Sequence, residues 1–414
     1  MKEIMFYRGA SLLETQLKSS HEKKIMGIER NIFFAGLTSF LTDTSVKMIY
    51  AVMPLFLLSI GASKTMLSLI EGIAEGTASF LKAISGWWSD KIGKNKPFMI
   101  IGYGITAIIT PIYAFVVSPL QVLVFRFIER VGKGIRTAPR DSLIAGSTIG
   151  NNTGRNFGFH KAMDNSGAVV GPLIALFLLW LFPKDYRTVF LYATIPAILG
   201  VMSILFFITE AKKSKEKLPG RIVLKDFSKK FYLFLFIAFI FTLGNSTDAL
   251  LLVKAKDVGF SDANIVLLFL IFNSVSVLLA VPLGTLSDKV GREKLIIAGY
   301  LLYAIIYFAF GKTSLKAVIT ILFALYGAYS AATDGIQKAL VSDLIDKDKR
   351  GTGLGLYNAV IGITLLPASL IGGILYDKVN NRAPFYFGAL MALISSIMLF
   401  IFYRRINKNK VQEA

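Results

Sequence analysis

Uncharged apolar runs, each about long enough to cross a bilayer, recur from one end of the chain to the other. A helix spanning the hydrocarbon core takes about 20 mostly apolar residues. Residues 97–125 carry no charge and break at Ser118-Pro119, which predicts two helices joined by a tight turn. Stretches 188–209, 263–287, 295–311, 351–376 and 383–403 are equally free of charge. Between them, runs near 32–60, 65–88, 119–146, 156–182, 231–253 and 315–341 keep the length and the apolar character but hold isolated charges. The pattern predicts an all-α polytopic membrane protein with twelve transmembrane helices joined mostly by very short loops.

Composition agrees with lipid rather than a single core as the partner of this surface, since 54% of the 414 residues are hydrophobic and 17% charged. A net charge of +20 would suggest nucleic acid in a soluble protein. Here it follows loop topology, and no nucleic-acid partner is expected. With the N-terminus inside, the inner segments collect the basic residues of 2–30, 91–96, 155, 212–230, 289–294, 347–350 and 404–410. The outer loops hold about a third as many, so both termini are placed in the cytoplasm, at the plasma (inner) membrane. The first thirty residues are charged and lack a signal-peptide core, which suggests a cytoplasmic helical arm. Cysteine is absent and only His21 and His160 are imidazoles. That excludes disulfides, thiolate metal sites and histidine clusters, so no metal and no cofactor are expected. Without a Walker A sequence or a reactive side-chain pair, neither an ATP-driven pump nor an enzyme is expected.

The chain is written twice. Gly86-x-x-x-Asp90-x-x-Gly93-Lys94-x-Lys96 closes the second run, and Gly284-x-x-x-Asp288-x-x-Gly291-Arg292-x-Lys294 closes the eighth, 198 residues later. Gly154-x-x-x-Gly158-x-x-Lys161-Ala162 against Gly351-x-x-x-Gly355-x-x-Asn358-Ala359, and Arg140 against Lys338, repeat at nearly the same offset. Two pseudo-symmetric six-helix bundles follow, residues 31–209 and 231–403. They are flanked by the arm (1–30), a basic cytoplasmic linker (210–230) and a cytoplasmic tail (404–414).

These motifs resemble the major facilitator superfamily, the resemblance running over about residues 30–405. It implies secondary active transport of a small molecule by alternating access, in a membrane-embedded functional monomer. It also implies an inner gate made by Gly86, Asp90, Gly93 and Lys94 with Gly284, Asp288, Gly291 and Arg292. Lys94 stands where the family usually has arginine. Gly158-x8-Gly167-x3-Gly171-Pro172 is similar to the helix-packing motif of twelve-span drug:proton antiporters, which implies antiport and efflux of drugs or metabolites. Uptake or exchange of a small organic anion, and a non-transporting sensor with the same fold, are the alternatives.

Charges inside spans face a cavity or one another. Asp43 and Lys47 are four apart on one face, compatible with an internal ion pair, and so are Glu71 and Glu75. Arg126, Arg130 and Lys133 share a stripe of the fourth span with Glu129 a turn away, so that length cannot meet lipid. These eight residues are the candidate proton-coupling cavity. Glu75, near the midplane, is the first candidate proton carrier and Asp43 the second, with Arg126 setting which state is protonated. Arg136, Arg140, Asp141, Lys161 and Asp164 suit an inner salt-bridge network. Asp248 is expected at the outer end of the seventh span, and His160 in a hydrogen bond near the inner rim.

Overall fold

The computed structural model describes residues 24–92, 94–148, 153–210, 227–345 and 350–412. Among them the first half contains α1 (Arg30–Ser59), α2 (Lys64–Ile92), α3 (Lys96–Ile112), α4 (Pro119–Ser147), α5 (Thr153–Leu181) and α6 (Tyr186–Phe207). The second half contains α7a (Lys229–Gly244) and α7b (Ala249–Asp257), then α8 (Asp262–Val290), α9 (Arg292–Lys312) and α10 (Lys316–Asp343). It ends with α11 (Arg350–Ile374), which finishes in a π-helical turn (Leu375–Val379), and α12 (Ala383–Gln412). Counting α7a and α7b as one broken span, the described residues give the twelve spans expected.

Most of the arm lies outside the described residues. Its last six residues form a two-stranded hairpin, Lys24–Ile25 with Ile28–Glu29, instead of continuing the expected helix. Met26 and Gly27 both have positive φ, 52° and 77°, the backbone of a tight primed turn.

Pairings repeat with six added to each helix number. In the first half α1 packs on α5, α2 on α4, and α3 on α4 and α6; in the second, α7a packs on α11, α8 on α10, and α9 on α10 and α12. Across the halves α2 packs on α11 and α5 on α8, each pair being the image of the other. This is the pseudo-two-fold arrangement of two six-helix bundles.

Ten of the spans are apolar enough to cross a membrane on their own composition; α2 and α4 are not among them. They pack against each other, so each helix that lipid would reject is solvated by the other. Around them, buried side chains from both halves form one continuous apolar core.

Two ends can be distinguished. The terminal face carries the hairpin, the α2–α3 and α8–α9 turns and the end of α12; the far face carries the α1–α2, α3–α4, α5–α6 and α11–α12 turns. Toward the far face the halves touch through glycines. A Cβ on Gly373 of α11 would lie 2.8 Å from the Thr65 Cα and from the Ser68 Cβ of α2, and one on Gly72 of α2 3.1 Å from the Leu366 Cα. Farther toward the terminal face, Gly158, Gly284 and Gly355 look onto open space. Among the described residues the halves are closed at the far face and parted at the terminal face.

Within the first half, α5 is seated on α1 backbone to backbone. A Cβ on Gly167 would come 2.6 Å from the Phe40 carbonyl oxygen, and one on Gly171 2.5 Å from that of Thr44. Gly171→Ala should therefore destabilise the protein by about 1–3 kcal/mol through overpacking. Gly158→Ala, in open space, should be neutral or stabilising by up to about 1 kcal/mol from helix propensity. Thermal melting of the detergent-purified variants checks this opposite sign.

Candidate functional site

The α4 helix starts where the sequence marks it. Ser118 accepts the Gln121 N–H, the Gln121 side chain returns to the Ser118 backbone, and Pro119 opens the first turn. From that fixed start Arg126, Glu129 and Arg130 fall on the face toward α2. Arg126 is fully buried and binds both carboxylate oxygens of Glu71, with Nη2 at 3.0 and 3.1 Å and Nε at 3.2 Å. Its Nη1 donates to Glu129 Oε2 at 2.9 Å, and that oxygen also accepts the Tyr113 hydroxyl at 2.9 Å. One turn on, Arg130 pairs with Glu75 at 3.1 Å. Because α2 and α4 run in the same direction, the four-residue steps Glu71–Glu75 and Arg126–Arg130 align as two rungs. A bidentate guanidinium–carboxylate contact suits such a site because it matches both charge and hydrogen bonds at once.

Beside the rungs, between the halves, lies a cavity of about 530 Å³. Asp43, Lys47, Glu71, Glu75, Glu129, Arg130 and Lys133 all line it. Arg126 does not; it sits behind the wall, with all three guanidinium nitrogens turned to two buried carboxylates. Arg136, Arg140, Lys161 and Asp164 also reach the cavity, on its terminal side. Arg140 binds Asp141 at 2.9 Å, Lys161 binds Asp164 at 3.0 Å, and Arg136 donates to the Thr106 hydroxyl at 2.6 Å. His160 hydrogen-bonds Ser39 at 2.8 Å.

The expected Asp43–Lys47 pair does not form. Close seating of α5 on α1 sets Gly167 against Asp43, a Cβ there falling 3.0 Å from the Asp43 Cβ, and Asp43 and Asp164 line the same cavity. Lys47 instead extends toward the second half, its Nζ 5.6 Å from the ring centres of Tyr50 and of Phe269 on α8. Among the described residues no carboxylate lies within ion-pair distance of Lys47 or Lys133.

The opposite wall comes from the second half. The seventh span stops at Gly244 and restarts at Ala249, and the break puts Asn245, Ser246, Thr247 and Asp248 on the cavity. Asp248 is thus at the centre of the site rather than at the outer end of its span. It accepts the Tyr326 hydroxyl at 2.7 Å. Behind Tyr326 stands a tyrosine stack, with Tyr303 4.0 Å from Tyr307 and 4.8 Å from Tyr329 between ring centres. Asp334 on α10, bonded by Ser330 at 2.8 Å, is the other acidic group on this wall, which has no lysine or arginine lining it among the described residues. The run Gly-Asn-Ser-Thr-Asp, turn formers inside an apolar span, was the signal for this break.

At the terminal face Arg292 holds α8 to α10, reaching Asp343 at 2.8 Å and Asp288 at 3.5 Å. Gly291, at φ 101°, makes the turn between α8 and α9, and Lys94 is exposed. Gly86 lies in the last turns of α2; Gly93 and the Asp90 side chain lie outside the described residues. Gly284 faces open space, as Gly158 does, while Gly167 and Gly171 with Pro172 form the α1–α5 seam.

A polar cavity between two apolar six-helix bundles is the architecture of a carrier, and comparison with known proteins identifies it. The sequence model of the Major Facilitator Superfamily matches residues 35–261 and 234–414. The chain belongs to this superfamily. It is 33% identical, over 90% of its length and 94% of the relative's, to a transporter of this type from Methanocaldococcus jannaschii whose substrate is not given by its name. It is 24% identical to the multi-drug resistance efflux pump PmrA of Streptococcus pneumoniae, over 92% of this chain and 98% of the pump. Among solved structures it shares the fold of a D-xylose–proton symporter, at TM-score 0.72 and 16% identity, over 90% of this chain and 97% of the symporter. It likewise shares the fold of a POT family transporter, at 0.78 and 14%, over 93% and 98%. The protein is an integral membrane transporter of a small molecule, not an enzyme, and the relatives lend no support to a sensor.

Removing one member of the buried triad should cost more than removing all of its charge. Arg126→Met leaves Glu71 and Glu129 uncompensated and should destabilise by about 3–5 kcal/mol. Adding Glu71→Gln and Glu129→Gln should restore monodisperse protein and most of the melting temperature. Equal loss in the single and triple variants would mean that the contact matters for shape rather than charge.

Proposed function

We propose that this transporter is proton-coupled and exports its substrate, working as a monomer in the plasma membrane with both termini in the cytoplasm. The single observation that carries the coupling is that two aspartates, Asp43 of α1 and Asp164 of α5, line one cavity on helices seated backbone to backbone. Two carboxylates on one such seam disfavour each other's charge, which favours a proton on one of them. Glu75, the first candidate from the sequence, already has its charge matched by Arg130. Asp43 has no cation within ion-pair distance among the described residues, and its neighbours Lys133 and Arg136 act on it only from farther away. The pair is therefore the better proton site, and Arg126, tied to Glu71 and Glu129, is a fixed strut rather than the switch.

Alternating access is supported by the closed far-face seam and the parted terminal end. Antiport in the direction of efflux is supported by the glycine seam of α5 and by the likeness to PmrA over nearly its whole length. A substrate entering from the terminal face would meet the cavity beside a protonated pair, and release of that proton would separate two like charges. Exchange of a small organic anion is the second reading, favoured by Lys47 and Lys133, which line the cavity without a carboxylate partner within 4 Å among the described residues. Both readings use the same proton site.

The sign of the coupling is fixed by which state holds the proton. The two aspartates face one cavity in the state open at the terminal face, so acid should favour that state and alkali should release it. Spin labels on cysteines introduced at Val117 and Leu315, exposed far-face residues of the two halves, would read the far-face separation without needing the substrate. The separation should shorten across about pH 8 to 5 in the parent, lose this response in Asp43→Asn and in Asp164→Asn, and keep it in Glu75→Gln. A response retained in full by both aspartate variants would remove the pair as the proton site.

A further inference from the structure

Asp377, in the π-helical turn that ends α11, binds the start of α2 from across the interface between the halves. Its Oδ1 accepts the Lys64 N–H at 3.3 Å, and its Oδ2 accepts the Thr65 N–H and the Thr65 hydroxyl, both at 2.7 Å. Ser63 takes the next N–H, that of Met66, at 3.0 Å. The first turn of α2 thus has its otherwise orphaned donors satisfied by one residue from each half, and the carboxylate lies at the positive end of the helix dipole.

The sequence around this carboxylate repeats the gate motif. Gly373-Ile-Leu-Tyr-Asp377-Lys378-Val379 has the spacing of Gly86-Trp-Trp-Ser-Asp90-Lys91-Ile92 and of Gly284-Thr-Leu-Ser-Asp288-Lys289-Val290. The two gate copies end α2 and α8 at the terminal face, whereas this third copy ends α11 at the far face. Its glycine has the matching role. Gly373 leaves no room for a side chain against Thr65 and Ser68, so α11 can approach until the aspartate reaches the α2 terminus. The wide π turn carries Asp377 toward α2, while Tyr376 on the same turn donates to Asp257 of α7b at 2.8 Å.

From these contacts we infer that Asp377 is the far-face latch of the transport cycle, a positioning residue that holds the halves together while the terminal face is open. It does for the far face what the gate aspartate of α2 is expected to do for the terminal one. The helices α2 and α11 each end in the motif, at opposite faces, and at the far face it is α11 that presents its aspartate to the start of α2. Rocking the halves about the cavity parts one such contact as it makes the other. Only one other polar contact of this kind joins the halves at the far face among the described residues: the Tyr186 hydroxyl donates to Asp262 at 2.6 Å. A hydroxyl partner is weaker than a carboxylate on two helix N–H groups, so the Asp377 contact sets the balance.

This inference rests on alternating access but not on proton coupling, and the same spin-label pair at Val117 and Leu315 separates the two. Measured at one fixed pH, Asp377→Asn keeps the size of the side chain, removes its charge and should raise the open-to-closed ratio at the far face about tenfold, the expected effect of losing a charged hydrogen-bond acceptor. Thr65→Val, which deletes one donor and leaves the fold undisturbed, should move the ratio the same way by a smaller factor. The pH response assigned to Asp43 and Asp164 should persist in both variants. A merely structural role would lower the melting temperature and leave the distance distribution unchanged; that result in both variants overturns the latch. Loss of the pH response in the aspartate variants, or its absence from the parent, bears on the coupling and not on Asp377.

Discussion

A bilayer does not tolerate an unmatched charge, and this molecule places its charge on two helices that neutralise each other. Arg126 is buried completely against Glu71 and Glu129, and Arg130 meets Glu75 one turn away. Neither α2 nor α4 could face lipid, so the apolar helices must enclose them. That enclosure fixes which helices lie at the centre and which at the rim. It also leaves the cavity bounded on one side by a network of charges already committed to protein partners. Groups that remain there without an ion-pair partner among the described residues, Lys47, Lys133 and Asp43, stand out as the ones free to respond to a ligand or a proton.

The two halves share a fold but divide the chemistry. In the first, ion pairs stiffen the wall and glycines bring α5 onto the α1 backbone. In the second, tyrosines packed ring on ring support a wall whose only lining charges among the described residues are Asp248 and Asp334. The broken seventh span brings non-helical backbone inside an apolar span, which is tolerable because it lines a cavity rather than lipid. An asymmetric site of this kind gives a solute different partners on its two sides.

Much of the architecture was legible because the bilayer imposes a length and a polarity on every span. The charge-free runs located the helices, and the repeated glycine–aspartate turns exposed the duplication. Seven of the eight candidate cavity residues line the cavity, since a charge in a span has few places to go. What the sequence could not supply was direction around a helix. Lys47 sits four residues from Asp43, yet it turns to the rings of Tyr50 on its own helix and Phe269 of the other half, because α5 fills the space beside Asp43. Arg126 looked like a cavity residue until the carboxylates on both sides of it were visible. Asp248 was misplaced because a break inside an apolar run moves a residue from the edge of a span to its centre. The third copy of the gate motif went unread because it falls at the opposite end of its span from the other two.

The glycine seam gives the proposed proton site its mechanical reach. Where a side chain separates two helices, a small change in charge can be absorbed by a rotamer shift. At Gly167 and Gly171 there is no side chain, and the backbones of α1 and α5 are already in contact. Deprotonating the pair would place two like charges on one seam, at a position where neither helix backbone can yield locally. The strain is relieved only by moving α5, and α5 is the helix that packs on α8 across the interface. On the proposed coupling, a proton lost at Asp43 would thereby act as a force between the halves. Such a force needs an opposing contact to set the threshold at which the far face parts, and a carboxylate seated on the first turn of α2 is placed to supply it.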